Sequence, residues 1–119
     1  MTIVPKALAE DRIAADLLRE DKRICTRYEE FGLGKEALFT EFFGFSCMGY
    51  IPLSSITRVY KRLAVTKGFF QEGKIYGTLC YLVVCYDQKE KAFRFKHEET
   101  LNALIDAIRK KTEIPVGKI

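Results

Sequence analysis

Ala92-Phe93-Arg94-Phe95-Lys96, followed after one residue by Glu98-Glu99-Thr100-Leu101-Asn102-Ala103-Leu104-Ile105-Asp106-Ala107-Ile108-Arg109-Lys110-Lys111, decides the fold class. In the first segment the pattern repeats every second residue. Phe93 and Phe95 share one face and Arg94 and Lys96 the other, as in a half-buried strand. The period then lengthens. Leu101, Leu104, Ile105 and Ile108 recur at i, i+3, i+4 and i+7, so they line one face of a helix. Glu98 and Glu99 suit the positive end of its dipole, and Arg109, Lys110 and Lys111 the negative end. Pro115 stops any continuation. Four large apolar side chains on one stripe need an apolar surface to cover.

That surface is expected from the preceding strands. Residues 24–28 alternate, with Ile24, Thr26 and Tyr28 on one side. Gly32 and Gly34 mark residues 31–35 as a turn. Residues 37–43 are rich in aromatic and strand-forming side chains. Gly44, Ser46 and Gly49 interrupt the next stretch, and residues 50–53 pair briefly, Pro52 confining them to an edge or a strand end. Residues 56–66 form a long strand with Val59, Leu63 and Val65 on one face and Arg58, Tyr60 and Arg62 on the other. Residues 67–74 form a loop. Residues 77–86, apolar on both faces, form the most buried strand, and residues 87–90 a polar hairpin turn.

Ahead of the strands, Pro5 fits the first turn of a helix that runs to about Lys22 through good helix formers. Its apolar stripe, Ile13 and Leu17 with Ala14 and Leu18 beside them, is narrow. It suits packing at the edge of the domain or against a partner.

The 119 residues fit one domain, and a chain of this length folds without metal or disulfide. The sequence has no apolar run of membrane-spanning length. Asp11, Arg12, Asp16, Arg19 and Glu20 interrupt any secretory signal near the N-terminus, so a cytoplasmic location is expected. Cys25, Cys47, Cys80 and Cys85 form no CxxC pair, and His97 is the sole histidine. These residues read as structural thiols, with no metal or cofactor expected.

The reading is therefore an α+β fold spanning residues 1–119. Residues 1–22 are a helical extension. Residues 23–112 are an antiparallel sheet of about seven strands covered by the C-terminal helix. The expected core is Leu38, Phe42, Val59, Leu63, Leu82, Val84, Phe93, Phe95, Leu101, Leu104, Ile105 and Ile108.

Two local stretches add a resemblance. Ala37-Leu38-Phe39-Thr40-Glu41, and then Tyr50-Ile51-Pro52-Leu53-Ser54-Ser55-Ile56-Thr57-Arg58-Val59-Tyr60, resemble the bacterial branch of the pleckstrin-homology-like (PH-like) superfamily. In that plan a C-terminal helix plugs one open end of a bent sheet. The resemblance thus implies that the sheet here is strongly bent into a partly open barrel, which the helix caps. The likeness covers about residues 24–112, and the N-terminal helix departs from it. It implies a binding module for lipid headgroups, peptides or protein partners. The lipid-binding members usually carry a basic first hairpin. Here residues 27–38 offer only Arg27 and Lys35 beside Glu29, Glu30 and Glu36, which counts against an inositol-phosphate ligand.

The net charge of +4 is concentrated in Arg58, Lys61, Arg62, Lys67 and Lys74. Phe69 and Phe70 lie between the last two. Cations beside aromatics suit an anionic membrane surface or nucleic-acid phosphates. The simpler account is the solvated face of a sheet, and Lys61 falls on the opposite face from Arg58 and Arg62. Catalysis has no visible constellation. His97 lacks a nucleophile motif around Ser46, Ser54 or Ser55, and no phosphate-binding glycine loop is present.

The expected function is a non-catalytic protein-interaction or oligomerisation module. The alternative is peripheral binding to anionic lipid through Arg58, Arg62, Lys67, Phe69, Phe70 and Lys74. Protein partners or self-association are expected, and nucleic acid is disfavoured.

Overall fold

The computed structural model describes residues 5–44, 46–67 and 75–117. Two helices and eight strands make an α+β fold, with the strands in two sheets that do not close on each other. The first sheet has the order β1-β5-β4-β3-β2. Its strands are β1 (Lys6–Ala7), β2 (Thr26–Tyr28), β3 (Phe31–Leu33), β4 (Ala37–Phe43) and β5 (Ser46–Pro52). The second is β6 (Ile56–Lys67), β7 (Ile75–Tyr86) and β8 (Lys89–Phe95), consecutive and antiparallel. A short 3-10 turn, Leu53–Ser55, joins the two sheets.

Helix α2 (Glu98–Lys111) has the boundaries that its period and charges imply. It buries Leu101, Leu104, Ile105, Ala107 and Ile108. These residues share one core with Leu38 and Ile51 from the first sheet and with Val59, Leu82, Val84, Phe93 and Phe95 from the second. Phe31 stacks on Phe95 at a 4.5 Å centroid distance and meets Phe93 edge-on, so side chains of β3 and β8 meet in this core. Asp87 and Gln88, at φ of 48° and 61°, form the two-residue turn from β7 to β8, whose twist matches the strands it joins.

The opposite face of the first sheet has its own core of Ala37, Phe39, Phe42, Cys47 and Tyr50. Phe42 is therefore buried as expected, but in this second cluster rather than beneath α2. Phe39 and Phe42 are three residues apart. Glu41 between them takes a left-handed φ of 55°, which breaks strict alternation and returns Phe42 to the same face.

Helix α1 (Ala15–Ile24) covers this second face through Leu18. It also buries Asp21, which is only 3% exposed. The Asp21 carboxylate accepts the N–H groups of Lys35 at 2.6 Å, Glu36 at 3.1 Å and Ala37 at 3.0 Å. A buried carboxylate is tolerated when such donors surround it. Gly34 makes the close approach possible, since a Cβ there would collide with the carboxylate. Glu29 plays a similar part at the other helix. Its carboxylate accepts the N–H groups of Lys96 at 2.7 Å and His97 at 2.9 Å, at the entry to α2.

Five expectations need correction. Phe31–Leu33 form strand β3, paired with β2 and β4, rather than part of a turn. The N-terminal helix begins at Ala15, not at Pro5. Lys6 and Ala7 instead pair in parallel with Gly49 and Tyr50, and Leu8 N–H donates to the Tyr50 carbonyl. A sheet edge that satisfies these main-chain groups outweighs helix propensity. Ile24 ends α1 rather than starting a strand, and β2 begins at Thr26. Gly49 does not interrupt β5: it lies inside the strand, where a Cβ would stand 2.7 Å from Thr40 Oγ1. Leu63 is 48% exposed rather than core, because it lies two residues beyond Lys61, which the first turns of α2 reach.

Two stability measurements check this account. Leu104→Ala should lower the unfolding free energy by about 2–5 kcal/mol in urea titration, since it empties the shared core. Asp21→Ala should cost about 2–3 kcal/mol by leaving three inward-facing amides unanswered. A variant at either position that unfolds like the wild type contradicts the packing described.

Candidate functional site

The end of the chain turns back onto β6. Val59 N–H donates to the Pro115 carbonyl at 3.0 Å, and Gly117 N–H donates to the Val59 carbonyl at 2.8 Å. Val116 thus sits beside Val59 as a parallel bridge on the outer edge of β6. Arg58 Nη1 fixes the segment further by donating to the Gly117 carbonyl at 2.7 Å.

Past this bridge the edge opens. Main-chain groups alternate in direction along a strand, so Lys61 and Leu63 face away from β7 as Val59 does. Among the described residues no further strand meets them. A cleft of about 760 Å³ runs beside this edge, between β6 and α2. Its walls include Lys61, Asn102, Ile105, Asp106, Arg109 and Val116. Lys61 Nζ crosses it, donating to Glu98 Oε2 at 2.7 Å and to Asn102 Oδ1 at 3.0 Å. The lysine is thereby held against the helix. It does not stand out as the solvated charge that commonly guards an exposed edge.

Of the six residues expected to make anion or membrane contact, the structure describes the side chains of Arg58 and Arg62. Arg58 is engaged with the chain end, and the Arg62 guanidinium lies 5.4 Å from the Tyr81 ring centroid. Lys61 falls on the face of α2, opposite Arg58 and Arg62, as the alternation implies. Lys67 ends β6, but its side chain lies outside the described residues, as do Phe69, Phe70 and Lys74.

His97 occupies the residue before α2, its main-chain N–H held by Glu29. Among the described residues no group of three or more His, Cys, Asp or Glu is placed to hold a metal. No helix among them is long and apolar enough to cross a membrane. The four cysteines are unpaired, with Cys47 and Cys80 buried. Burial pushes all four thiols above their ordinary range. At Cys85 the nearby Glu90 carboxylate adds to the rise. A thiol held neutral is a poor nucleophile.

A second cleft, of about 580 Å³, lies between α1, β2 and the end of β4. Arg19, Lys22, Arg23 and Arg27 line it together with Glu20, Cys25, Phe42 and Gly44. Reading charge along the chain misses this group, because residues 1–30 carry seven acids against six bases. The available signal was the spacing of Arg19, Lys22 and Arg23, which share one side of a helix.

Comparison with protein-family models, curated proteins and solved structures finds no match. The two clefts therefore have to be interpreted from their own chemistry.

Thiol reactivity checks the electrostatics. In the folded protein at pH 7, Cys47 and Cys80 should react with a disulfide reagent at least about tenfold more slowly than after denaturation. Rapid native labelling of either residue would contradict the burial described.

Proposed function

We propose that this chain is a non-catalytic interaction module that takes an extended polypeptide strand on the open edge of β6, in the cleft beside α2. The carrying observation is that residues 115–117 already lie on this edge through a parallel bridge at Val116, bonded to Val59 through both its N–H and its carbonyl. The next outward-facing positions, Lys61 and Leu63, continue the same edge, and the half-exposed Leu63 side chain gives an entering strand an apolar contact. Strand addition draws affinity from main-chain hydrogen bonds and specificity from the pockets beside them. The walls offer Asp106 and Arg109 as well as Ile105, so a peptide of mixed charge and apolar character suits the cleft.

We also read the architecture as PH-like. The support is the capping position of α2 over a core to which both sheets contribute. Self-association is the symmetric form of the same reading, with a second β6 as the added strand.

The test is selection of peptides from a random library against the whole chain, followed by hydrogen exchange at single-residue resolution and light scattering. Selected peptides, or a concentration-dependent dimer, should protect the Lys61 and Leu63 amides. Leu63→Pro, which removes one outward N–H without touching the ladder to β7, should weaken binding about tenfold. A strictly monomeric protein that yields no peptide protecting these amides would overturn the proposal.

A further inference from the structure

The four cations of the second cleft have no role in strand addition at β6, and the two clefts share no lining residue. Helix position accounts for Lys22 and Arg23, which lie in the last turn of α1 where cations answer the negative end of the dipole. It does not account for Arg19, a turn earlier, or for Arg27, which belongs to β2.

Arg27 is held in place. Its Nη1 donates to the Gly44 carbonyl at 2.8 Å and its Nη2 to the Glu29 carbonyl at 3.1 Å. The guanidinium carbon stands 4.1 Å from the centroid of the Phe42 ring. Lys22 Nζ lies 5.8 Å from the same centroid. Phe42 therefore forms the floor on which two cations rest, and no carboxylate neutralises Arg27 among its described contacts. Arg19 has no ion-pair partner among the described residues.

The acids of the same segment are directed elsewhere. Asp21 faces inward to the amides of Lys35, Glu36 and Ala37, and Glu29 faces the entry of α2. Glu20 is the one acid on the rim, and it is paired with Arg23. Cys25 adds no negative charge, since burial keeps its thiol neutral. A segment that is nearly balanced in sequence thus presents a cationic concavity with a fixed aromatic floor.

From this arrangement we infer that the cleft between α1, β2 and β4 is a binding site for a multiply charged phosphate group, contacted by Arg19, Lys22 and Arg27. Arginine and lysine supply several donors to a tetrahedral anion, and Arg27 is already held at the wall of the cleft. The same chemistry is offered by a soluble phosphate ester and by a phospholipid headgroup.

Inorganic pyrophosphate is the direct probe, titrated into the whole chain at low salt and followed by backbone amide NMR. The expected result is a saturable shift confined to residues near 19–27 and 42–44, weakening as salt rises. The double variant R19Q/K22Q should weaken binding at least about tenfold, each removed charge contributing to a charge-assisted contact. Lys110→Gln, on an exposed turn of α2, should leave it unchanged. Both variants alter exposed or half-exposed side chains, and their unperturbed amide spectra serve as the check on folding.

Vesicles of phosphatidylcholine with and without an anionic phospholipid separate the two sources. Sedimentation with the anionic vesicles that is lost in R19Q/K22Q assigns a headgroup. Pyrophosphate binding without sedimentation assigns a soluble ester. Absence of a saturable pyrophosphate shift up to about 10 mM, weaker than any site of this donor count warrants, overturns the inference. So does a response that R19Q/K22Q leaves intact, or one shared equally by a nucleic-acid or peptide polyanion at unrelated residues.

Discussion

The carboxylate of Asp21 fixes more of this molecule than any other single group. It is nearly inaccessible to water, and the three main-chain amides of the turn into β4 donate to it. Removing a carboxylate from water is costly unless such donors replace it. The geometry that satisfies it also determines where α1 sits. The helix lies in cis on the outer face of the first sheet, with Leu18 packed into the Phe39, Phe42 and Tyr50 cluster. Gly34 is required for the same reason, because any side chain would displace the acid.

This one contact explains why a five-stranded sheet with two apolar faces is stable here. One face packs on α2 and the second sheet, and the other would be exposed without α1. Glu29 does at the entry of α2 what Asp21 does at the turn into β4. In both places an acid reaches across the chain to main-chain donors that local structure leaves open. Asp21 is thereby withdrawn from the surface and Glu29 is turned toward α2, and the cations near them in sequence remain outside. Electrostatic character at the surface follows from this folding of charge inward, not from composition.

That is also why the sequence is informative in some places and silent in others. Residues 98–111 are bounded correctly because a strong period and flanking charges act locally, and residues 37–43 because strand-forming side chains run together up to Gly44. The alternation that separates Lys61 from Arg58 and Arg62 is equally local. Lys6, Ala7 and Leu8 illustrate the opposite case. Good helix formers follow them, but their amides and carbonyls are drawn to the edge of β5, more than forty residues away in sequence. Leu63 carries the right pattern for a core residue. Pattern reports which face a side chain occupies, whereas burial also depends on how far α2 extends. Arg19, Lys22 and Arg27 escape attention because counting charge along the chain includes Asp21 and Glu29, whose inward direction is a tertiary fact.

The two clefts differ in how prepared they are, and this separates what each can recognise. On the β6 edge the framework is a sheet whose outward N–H and carbonyl groups are fixed by the ladder to β7. An entering strand must order its own backbone, so affinity there depends on how many consecutive residues it can pair. In the second cleft the ligand-facing groups are side chains, and part of their entropy is already lost. Arg27 is held by two carbonyls and the Phe42 ring, leaving chiefly Arg19 and Lys22 to be ordered. A small, highly charged ligand can exploit that preparation because it brings little conformational entropy of its own. An extended peptide gains less from it, since only one of its residues would meet the fixed cation. The same fold thus holds one edge suited to a chain and one concavity suited to a compact anion, and the Asp21 contact that seats α1 is what keeps the second of these in shape.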